Sequence, residues 1–295
     1  MILVMAIVLK DDLNNGGKWE REFIITDKDF EILRQLVNYY TGITLSDSKR
    51  ELIYSRLAGR LRKNKLRKFS DYCRLLQEDA EGEEVTYFRN AITTNLTSFF
   101  REEHHFDYLK NVILPEYKKN SALKKRLRIW SAGCSTGEEP YSIAMVLKES
   151  SYIPPDCDLK ILATDIDSAV LKTAKEGFYP EDKTKQISEQ RIKKWFLSRR
   201  ARIDGHLEVC KELKNHITFK ELNLMREWPM KGPFDMIFCR NVLIYFSKPT
   251  QRILIDRFAN LLSDNGYLFI GHSESLFRIS DRFKLVGQTM YQKIK

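Results

Sequence analysis

The chain has few of the features that would assign it by exclusion. Its five cysteines, Cys73, Cys134, Cys157, Cys210 and Cys239, are odd in number and form no CxxC pair. A disulfide framework is therefore excluded, and a reduced, cytoplasmic protein is expected. Its five histidines show no HExxH or other ligand spacing. The adjacent pair His104 and His105 reads as a helix-surface feature, and no metal is expected. Long hydrophobic runs are missing. The apolar stretch MILVMAIVL at residues 1–9 is about half of what a membrane-spanning helix needs. It has neither a basic flank nor a small-residue cleavage site, so a signal peptide is not expected. Lys10 to Lys18, with Asn-Asn-Gly-Gly, reads as a linker, which makes residues 1–21 a flexible appendage. No GxxxxGK[ST] occurs, which argues against a P-loop nucleotide site. Acidic charge is also short: 40 Asp and Glu against 50 Lys and Arg leave a net charge of +10, which suits an acidic partner.

What is present is core-forming. Hydrophobic residues make up 43% of 295 residues, enough for two ordinary domains. Residues 22–93 read as an all-helical domain. Phe30, Leu33, Val37 and Tyr40 recur at helical spacing, with Thr26 as the expected N-cap and Gly42 as the stop. A second helix is expected from Ser46 or Asp47, with Ile53, Leu57 and Leu61 inward. A third is expected to be capped by Ser70, and a fourth is marked by Val85, Phe88 and Ile92. Beyond about residue 120 strands alternate with helices. LRIW (127–130), LKILATDID (159–167), FDMIFCRN (234–241) and GYLFIGH (266–272) are the strands, and KLVGQTMYQKI (284–294) is a closing hairpin strand. This is the pattern of an α/β domain with a mostly parallel sheet, assigned to residues 94–295. Residues 180–216 interrupt it. Ser188 is expected to cap a short helix, and Asp204-Gly205 to turn a hairpin in a small β-insertion.

Chemistry concentrates at strand ends. WSAGCSTGEEPYS (130–142) follows a strand and opens a helix, and Gly133 and Gly137 permit close backbone approach to a ligand. Two adjacent carboxylates, Glu138 and Glu139, would repel a pyrophosphate. They suit a cationic ligand such as S-adenosylmethionine, with its ammonium and sulfonium. Asp165 ends the second strand, where a carboxylate can accept hydrogen bonds from both ribose hydroxyls, while Asp167 reads as a helix cap. Arg240 and Asn241 end the strand FDMIFCRN, where cofactor and acceptor should meet.

TNLTSFFRE (94–102), STGEEPYS (135–142), ATDID (163–167), CRNVLIYF (239–246) and GHSE (271–274) occur in this order. Together they resemble the CheR-type chemotaxis receptor methyltransferases, which are protein-glutamate O-methyltransferases. The resemblance runs from about residue 22 to the end. It implies a class I S-adenosylmethionine-dependent methyltransferase sheet with a small β-insertion, preceded by an all-helical domain. It also implies methyl transfer from S-adenosylmethionine, leaving S-adenosylhomocysteine, to glutamates of methyl-accepting chemotaxis receptors. On this resemblance Asn95, Thr97 and Arg101 fold over the cofactor and Glu138 binds its ammonium end. Asp165 takes the ribose, Asn223 and Leu224 lie by the adenine, Arg240 and Asn241 line the site, and Tyr245 is near the reacting methyl. Helix capping is the alternative reading of Asn95 and Thr97. The first strand has Ser131 and Ala132 where methyltransferases in general often carry an acid.

From Lys49 to Lys68 nine cations face one acid, Glu51, and Arg56, Arg60 and Lys63 follow helical spacing. The plain reading is a solvated face. The resemblance implies a surface for the acidic helical region of receptors, steered by charge. The hairpin of the insertion offers an edge to which a receptor tail can add a strand, as in some members of that family and not in others, and the resemblance implies a cytoplasmic enzyme that visits membrane receptor arrays. Two other classes stay open. A nucleic-acid methyltransferase would use the positive charge, but RNVLIY stands where a base-amine enzyme needs an [DNS]PPY-like loop, so no nucleic-acid partner is expected. A non-catalytic cofactor-binding scaffold would bind the cofactor without transfer.

Overall fold

The computed structural model describes residues 21–119, 126–197 and 205–295. The expected appendage at 1–21 lies, except for Arg21, outside the described residues, and so does Asp204 of the expected Asp-Gly turn.

Four helices come first: α1 (Asp27–Thr41), α2 (Arg50–Lys63), α3 (Phe69–Glu78) and α4 (Glu83–Ile92). Thr26 caps α1 as expected, in a reciprocal box with Asp29, and Gly42 closes it in the left-handed region at φ 76°. A short 3-10 turn at Asp47–Lys49 leads into α2. Ser70 does not cap α3. The helix begins two residues earlier than that cap would set it, after Lys68, whose backbone is held extended by a bridge to Ile24. Leu33, Val37, Leu57, Leu61, Tyr72 and Phe88 are essentially solvent-free at the centre of this bundle.

After the short helices α5 (His104–Tyr108) and α6 (Leu114–Lys119), joined by a π-helical stretch at Leu109–Ile113, the α/β domain follows. Its strands are β1 (Arg126–Ala132), β2 (Asp158–Asp165), β5 (Ile217–Glu221), β6 (Phe234–Cys239), β7 (Leu262–Ile270), β8 (Phe283–Gly287) and β9 (Met290–Lys293). They form one seven-stranded sheet in the order β5-β2-β1-β6-β7-β9-β8. All neighbours are parallel except β7 with β9 and β9 with β8. The expected closing strand is thus two strands, β8 and β9, turning at Gln288 and Thr289. Helices α7 (Glu138–Glu149), α8 (Ser168–Glu176) and α11 (Lys248–Leu261) cover the sheet, and separate apolar clusters fill its two faces. Trp130, fully buried, packs edge-on against Trp228 and Phe258 on one face.

The insertion is a second, two-stranded sheet of β3 (Phe178–Pro180) and β4 (His206–Glu208). On either side of the expected turn, Phe196 and Val209 form an isolated antiparallel bridge. The partner of β4, however, is β3, which lies at the edge of the expected 180–216 range. Between them, α9 (Glu189–Trp195) is capped by Ser188 as expected, and α10 (Lys211–Lys214) leads back to β5.

The helical bundle is tied to the sheet's carboxyl edge by specific bonds. Asn223 Nδ2 donates to the carbonyl of Tyr40 at 2.8 Å, and Thr44 N to the carbonyl of Tyr245 at 2.9 Å. Arg89 pairs with Glu221 at 3.0 Å.

Candidate active site

The strand ends and the segment between the domains enclose one cavity of about 220 Å³. That is on the order of fifteen times the space one buried water needs, which is room for a small organic molecule. Gly133 and Ser135 reach it from β1, Asp165 from β2, Asn223 and Leu224 from the segment after β5, and Arg240 and Asn241 from β6. Ile244 and Tyr245 of a 3-10 turn, the linker residues Asn95, Thr97 and Arg101, and Thr41 and Ile43 of the helical domain complete the wall.

The loop after β1 is shaped by its glycines. Gly133 sits at φ +86°, and a Cβ there would come within 2.4 Å of Val242 Cγ2. Gly137 at φ +97° turns the chain into α7, with its would-be Cβ 2.9 Å from both Ala174 and the Tyr179 hydroxyl. Alanine at 133 adds backbone strain of about 1–2 kcal/mol and pushes Val242 off the cavity wall. Gly133→Ala is expected to lower Tm by the few degrees that this strain amounts to, and to weaken cofactor binding by calorimetry only through the displaced Val242.

Asp165 is buried at 8% exposure. Its Oδ2 accepts from Ser135 N at 2.8 Å and its Oδ1 from Asp167 N at 3.0 Å. Burial raises its pKa to about 6 against the pull of those two N–H groups, and the nearby charge of Asp167 adds to the rise. Among the described residues it has no ion-pair partner. A buried carboxylate with lone pairs to spare is what two ribose hydroxyls need. Asp167 caps α8 as expected, accepting from Ala169 N and Val170 N.

Of the two adjacent carboxylates, one lines the cavity and the other does not. Glu138, expected at the ammonium end, is almost fully buried, accepts from Thr136 Oγ1 at 2.6 Å and does not line the cavity. Glu139 does. Its Oε1 accepts from Ser131 Oγ at 2.7 Å and its Oε2 from Arg240 Nη1 at 3.1 Å. Glu139 therefore brings a carboxylate to the end of β1, where the sequence has only Ser131 and Ala132. Burial raises the pKa of Glu139, with Arg240 pulling the other way.

The remaining expected residues come together. Asn95 and Thr97 cap no helix. Asn95 Nδ2 donates to Asp167 Oδ2 at 2.7 Å, and Thr97 lies on the cavity wall. Arg101 Nη1 donates to the carbonyl of Leu96 at 2.8 Å, and the rest of its fork bonds no described residue. Asn241 holds a left-handed φ of 58°. Its N–H, with those of Ile244 and Gly271, is received by the buried carboxylate of Glu274, at 3.0, 3.1 and 2.5 Å. Glu274, the last residue of GHSE, is a site residue that the motif alone does not assign. His105 is not a surface residue: it is fully buried, its Nε2 3.0 Å from Thr289 Oγ1.

The basic stretch is only partly a free face. Arg56 bonds the Ile92 carbonyl and Thr94 Oγ1, Arg60 pairs with Glu84, Arg50 with Asp27, and Arg62 with Glu22. Lys49, Lys63, Lys65, Arg67 and Lys68 remain exposed. No helix among the described residues is long and apolar enough to cross a membrane.

Comparison with known proteins agrees in both domains. Residues 28–93 match the family described as CheR methyltransferase, all-alpha domain, and residues 95–292 match CheR methyltransferase, SAM binding domain. Chemotaxis protein methyltransferase 2 of Pseudomonas aeruginosa is 43% identical over 274 residues, 92% of this chain and 95% of that one. The chemotaxis protein methyltransferase of Escherichia coli is 41% identical over 90% of this chain and 91% of its own. That of Borreliella burgdorferi is 40% identical over 95% and 99%.

Proposed function

The chain belongs to the CheR methyltransferase family, its larger domain being that family's S-adenosylmethionine-binding domain, and from this we propose that it methylates glutamate γ-carboxylates of chemotaxis receptors, forming methyl esters for sensory adaptation. The observation that carries the reading is one cavity with an unpaired carboxylate, Asp165, among its walls and an arginine-rich edge, Arg101 and Arg240, beside Tyr245.

S-adenosylmethionine supplies a methyl group on a positively charged sulfur. Asp165 receives the ribose hydroxyls, and Asn223 and Leu224 flank the adenine. Glu139, rather than Glu138, holds the ammonium end. Asn95 and Thr97 close the linker over the ligand, while Arg240 and Asn241 shape the reaction edge. A glutamate acceptor is already ionised near pH 7, so no strong base is required of the protein. Orientation and exclusion of water supply the acceleration, an effect worth about 7–11 kcal/mol in well-oriented systems. The free N–H groups of Arg101 suit a carboxylate fork, and Tyr245 orients the methyl group. Purified protein, receptor-bearing membranes and methyl-labelled cofactor test this directly. Label should enter a receptor band and not added DNA or RNA. Labelled nucleic acid would establish the rival class, and cofactor binding without any transfer would establish a scaffold.

The exposed cations Lys49, Lys63, Lys65, Arg67 and Lys68 are the ones left to meet the acidic helical region of a receptor. Reversing Lys63 and Lys65 to Glu should raise the KM for receptor about tenfold and leave kcat nearly unchanged, with the difference shrinking as salt is raised. An equal effect at low and high salt would remove the charge-steering argument. The small sheet of β3 and β4 is the place for a receptor's C-terminal tail to add a strand. Calorimetry with the cognate tail peptide tests that, and absence of binding would end it. The expected site of action is the cytoplasm, with transient visits to receptor arrays.

A further inference from the structure

Beside the cavity, on the side away from Asp165, lies a buried group of charges to which no role has yet been given. Glu102 follows Arg101 and has a side chain only 9% exposed. Its Oε1 accepts from His272 N at 3.2 Å, stands 2.7 Å from His272 Nδ1, and is 3.4 Å from Asn241 Nδ2. Its Oε2 stands 3.3 Å from Arg240 Nη2 and 3.7 Å from His105 Nδ1. One carboxylate therefore touches the strand ends of β6 and β7 and helix α5 at once. Arg240 is itself held between Glu102 and Glu139, and its Nη2 also donates to the carbonyl of Arg101.

The backbone around Arg101 is unusual. Phe100 and Glu102 both lie in the left-handed region, at φ 52° and 58°. Non-glycine residues there cost on the order of 1–3 kcal/mol each and persist only where surroundings hold them. Phe100 is held by its N–H bond to Ser142 Oγ at 3.0 Å and by Phe106 and Arg191 against its ring. Glu102 is held by the contacts above. Between these two anchors, Arg101 is turned onto the cavity wall.

Glu102, His104 and His105 also present ligand atoms within 4.8 Å of one another. A divalent cation among them would stand against the Arg240 guanidinium. That guanidinium already takes the place of the cation, so the cluster is an ion pair and not a metal site. Burial raises the pKa of Glu102, but the hydrogen bond from His272 and the charge of Arg240 outweigh it and hold the group down at about 2. Burial, with Arg240 and His104 beside it, lowers His105 to about 3. Glu102 is therefore ionised and His105 neutral throughout the working range.

We propose that Glu102 is a positioning residue for methyl transfer: it clamps Arg240 and the loop after β7 to the linker and so sets the direction in which Arg101 and Arg240 face the acceptor. The task assigned to those arginines rests on the methyltransferase reading above. The clamp itself can be tested without an acceptor.

The variants are Glu102→Gln, Arg240→Lys and their double, all checked for folding by thermal melting. Calorimetry should give cofactor affinities for Glu102→Gln within roughly threefold of the parent, the range in which uncoupled sites differ little. The carbon-13 resonance of the bound cofactor's labelled methyl should nevertheless move, and to the same place in Arg240→Lys and the double. With receptor membranes, Glu102→Gln should lose about tenfold or more in kcat, as expected for a misplacement of about 1 Å, and the double should be no worse than the poorer single. An unmoved resonance, or losses in kcat that multiply, would overturn the clamp. Failure of the parent protein to label receptors would instead overturn the methyltransferase reading, and the resonance would still decide the clamp. Should Glu102→Gln not fold, His272→Ala takes its place, since that side chain is 67% exposed. Its effect and that of Arg240→Lys must then fail to multiply, because both act through Glu102.

Discussion

Asp165→Ala is expected to weaken S-adenosylmethionine binding by at least about a hundredfold, because two ribose hydroxyls lose a charged acceptor worth roughly 1.5–3 kcal/mol per hydrogen bond. Titration calorimetry measures this, and affinity within threefold of the parent would mean the ribose is held elsewhere. The same group predicts a pH dependence. Its pKa in the folded protein is raised, from the ordinary 3.8 to about 6. The ionised form is the one that accepts both hydroxyls, so binding is at full strength above about pH 6 and is lost as pH falls through that value. In the limit that only this form binds, affinity falls about tenfold per pH unit below it. Stability without cofactor runs the other way. Between pH 3.8 and about 6 the folded protein holds a proton that the unfolded chain has released, so Asp165 lowers stability as pH rises through that window. The gain in Tm on adding cofactor should therefore be larger at pH 7.5 than at pH 5, and Asp165→Asn should flatten the difference.

Glu274→Ala should be the most destabilising single change at the site. Its carboxylate is the acceptor for the N–H groups of Asn241, Ile244 and Gly271. Burial raises its pKa while those N–H groups lower it. Alanine leaves three donors unpaired in a buried place, each costing about 1–3 kcal/mol. A total of about 4 kcal/mol corresponds to a fall in Tm of about 10 °C for a protein of this size. Asn241, held at φ 58° by this acceptor, loses its reason to stay left-handed, and with it the wall that carries Ile244 and Tyr245. Methyl transfer should fall even at temperatures where the variant is folded. Glu274→Gln, which keeps one acceptor oxygen, should lose about half as much stability. A Tm unchanged in both variants would show that the loop does not depend on this carboxylate.

The sequence made the local rules readable and hid the distant ones. Apolar spacing found α1, α2 and α4, and the capping residues Thr26, Gly42, Asp167 and Ser188 act within three or four residues of their own position. The carboxyl ends of β1, β2 and β6 were readable for the same reason, since a strand followed by Gly, Asp or Arg-Asn needs no knowledge of the rest of the chain. Ser70 misled because the start of α3 is set by a bridge from Lys68 to Ile24, which is remote in sequence. Arg56 and Arg60 looked like a solvated stripe, but their partners Thr94 and Glu84 lie in the linker and on another helix. His105 is buried because its neighbours Thr289 and Phe269 come from the end of the sheet. The choice between Glu138 and Glu139 is one of helix phase: adjacent residues point about 100° apart, and the turn at Gly137 decides which of them faces the cavity.

Among all measurements, the chemistry of the label in the receptor tests the central claim most directly. Receptor protein methylated by this enzyme with tritiated cofactor is isolated and brought to alkaline pH. If the acceptor is a glutamate γ-carboxylate, the label leaves as volatile methanol. Label that stays on the protein in alkali would place the methyl group on nitrogen and contradict the account.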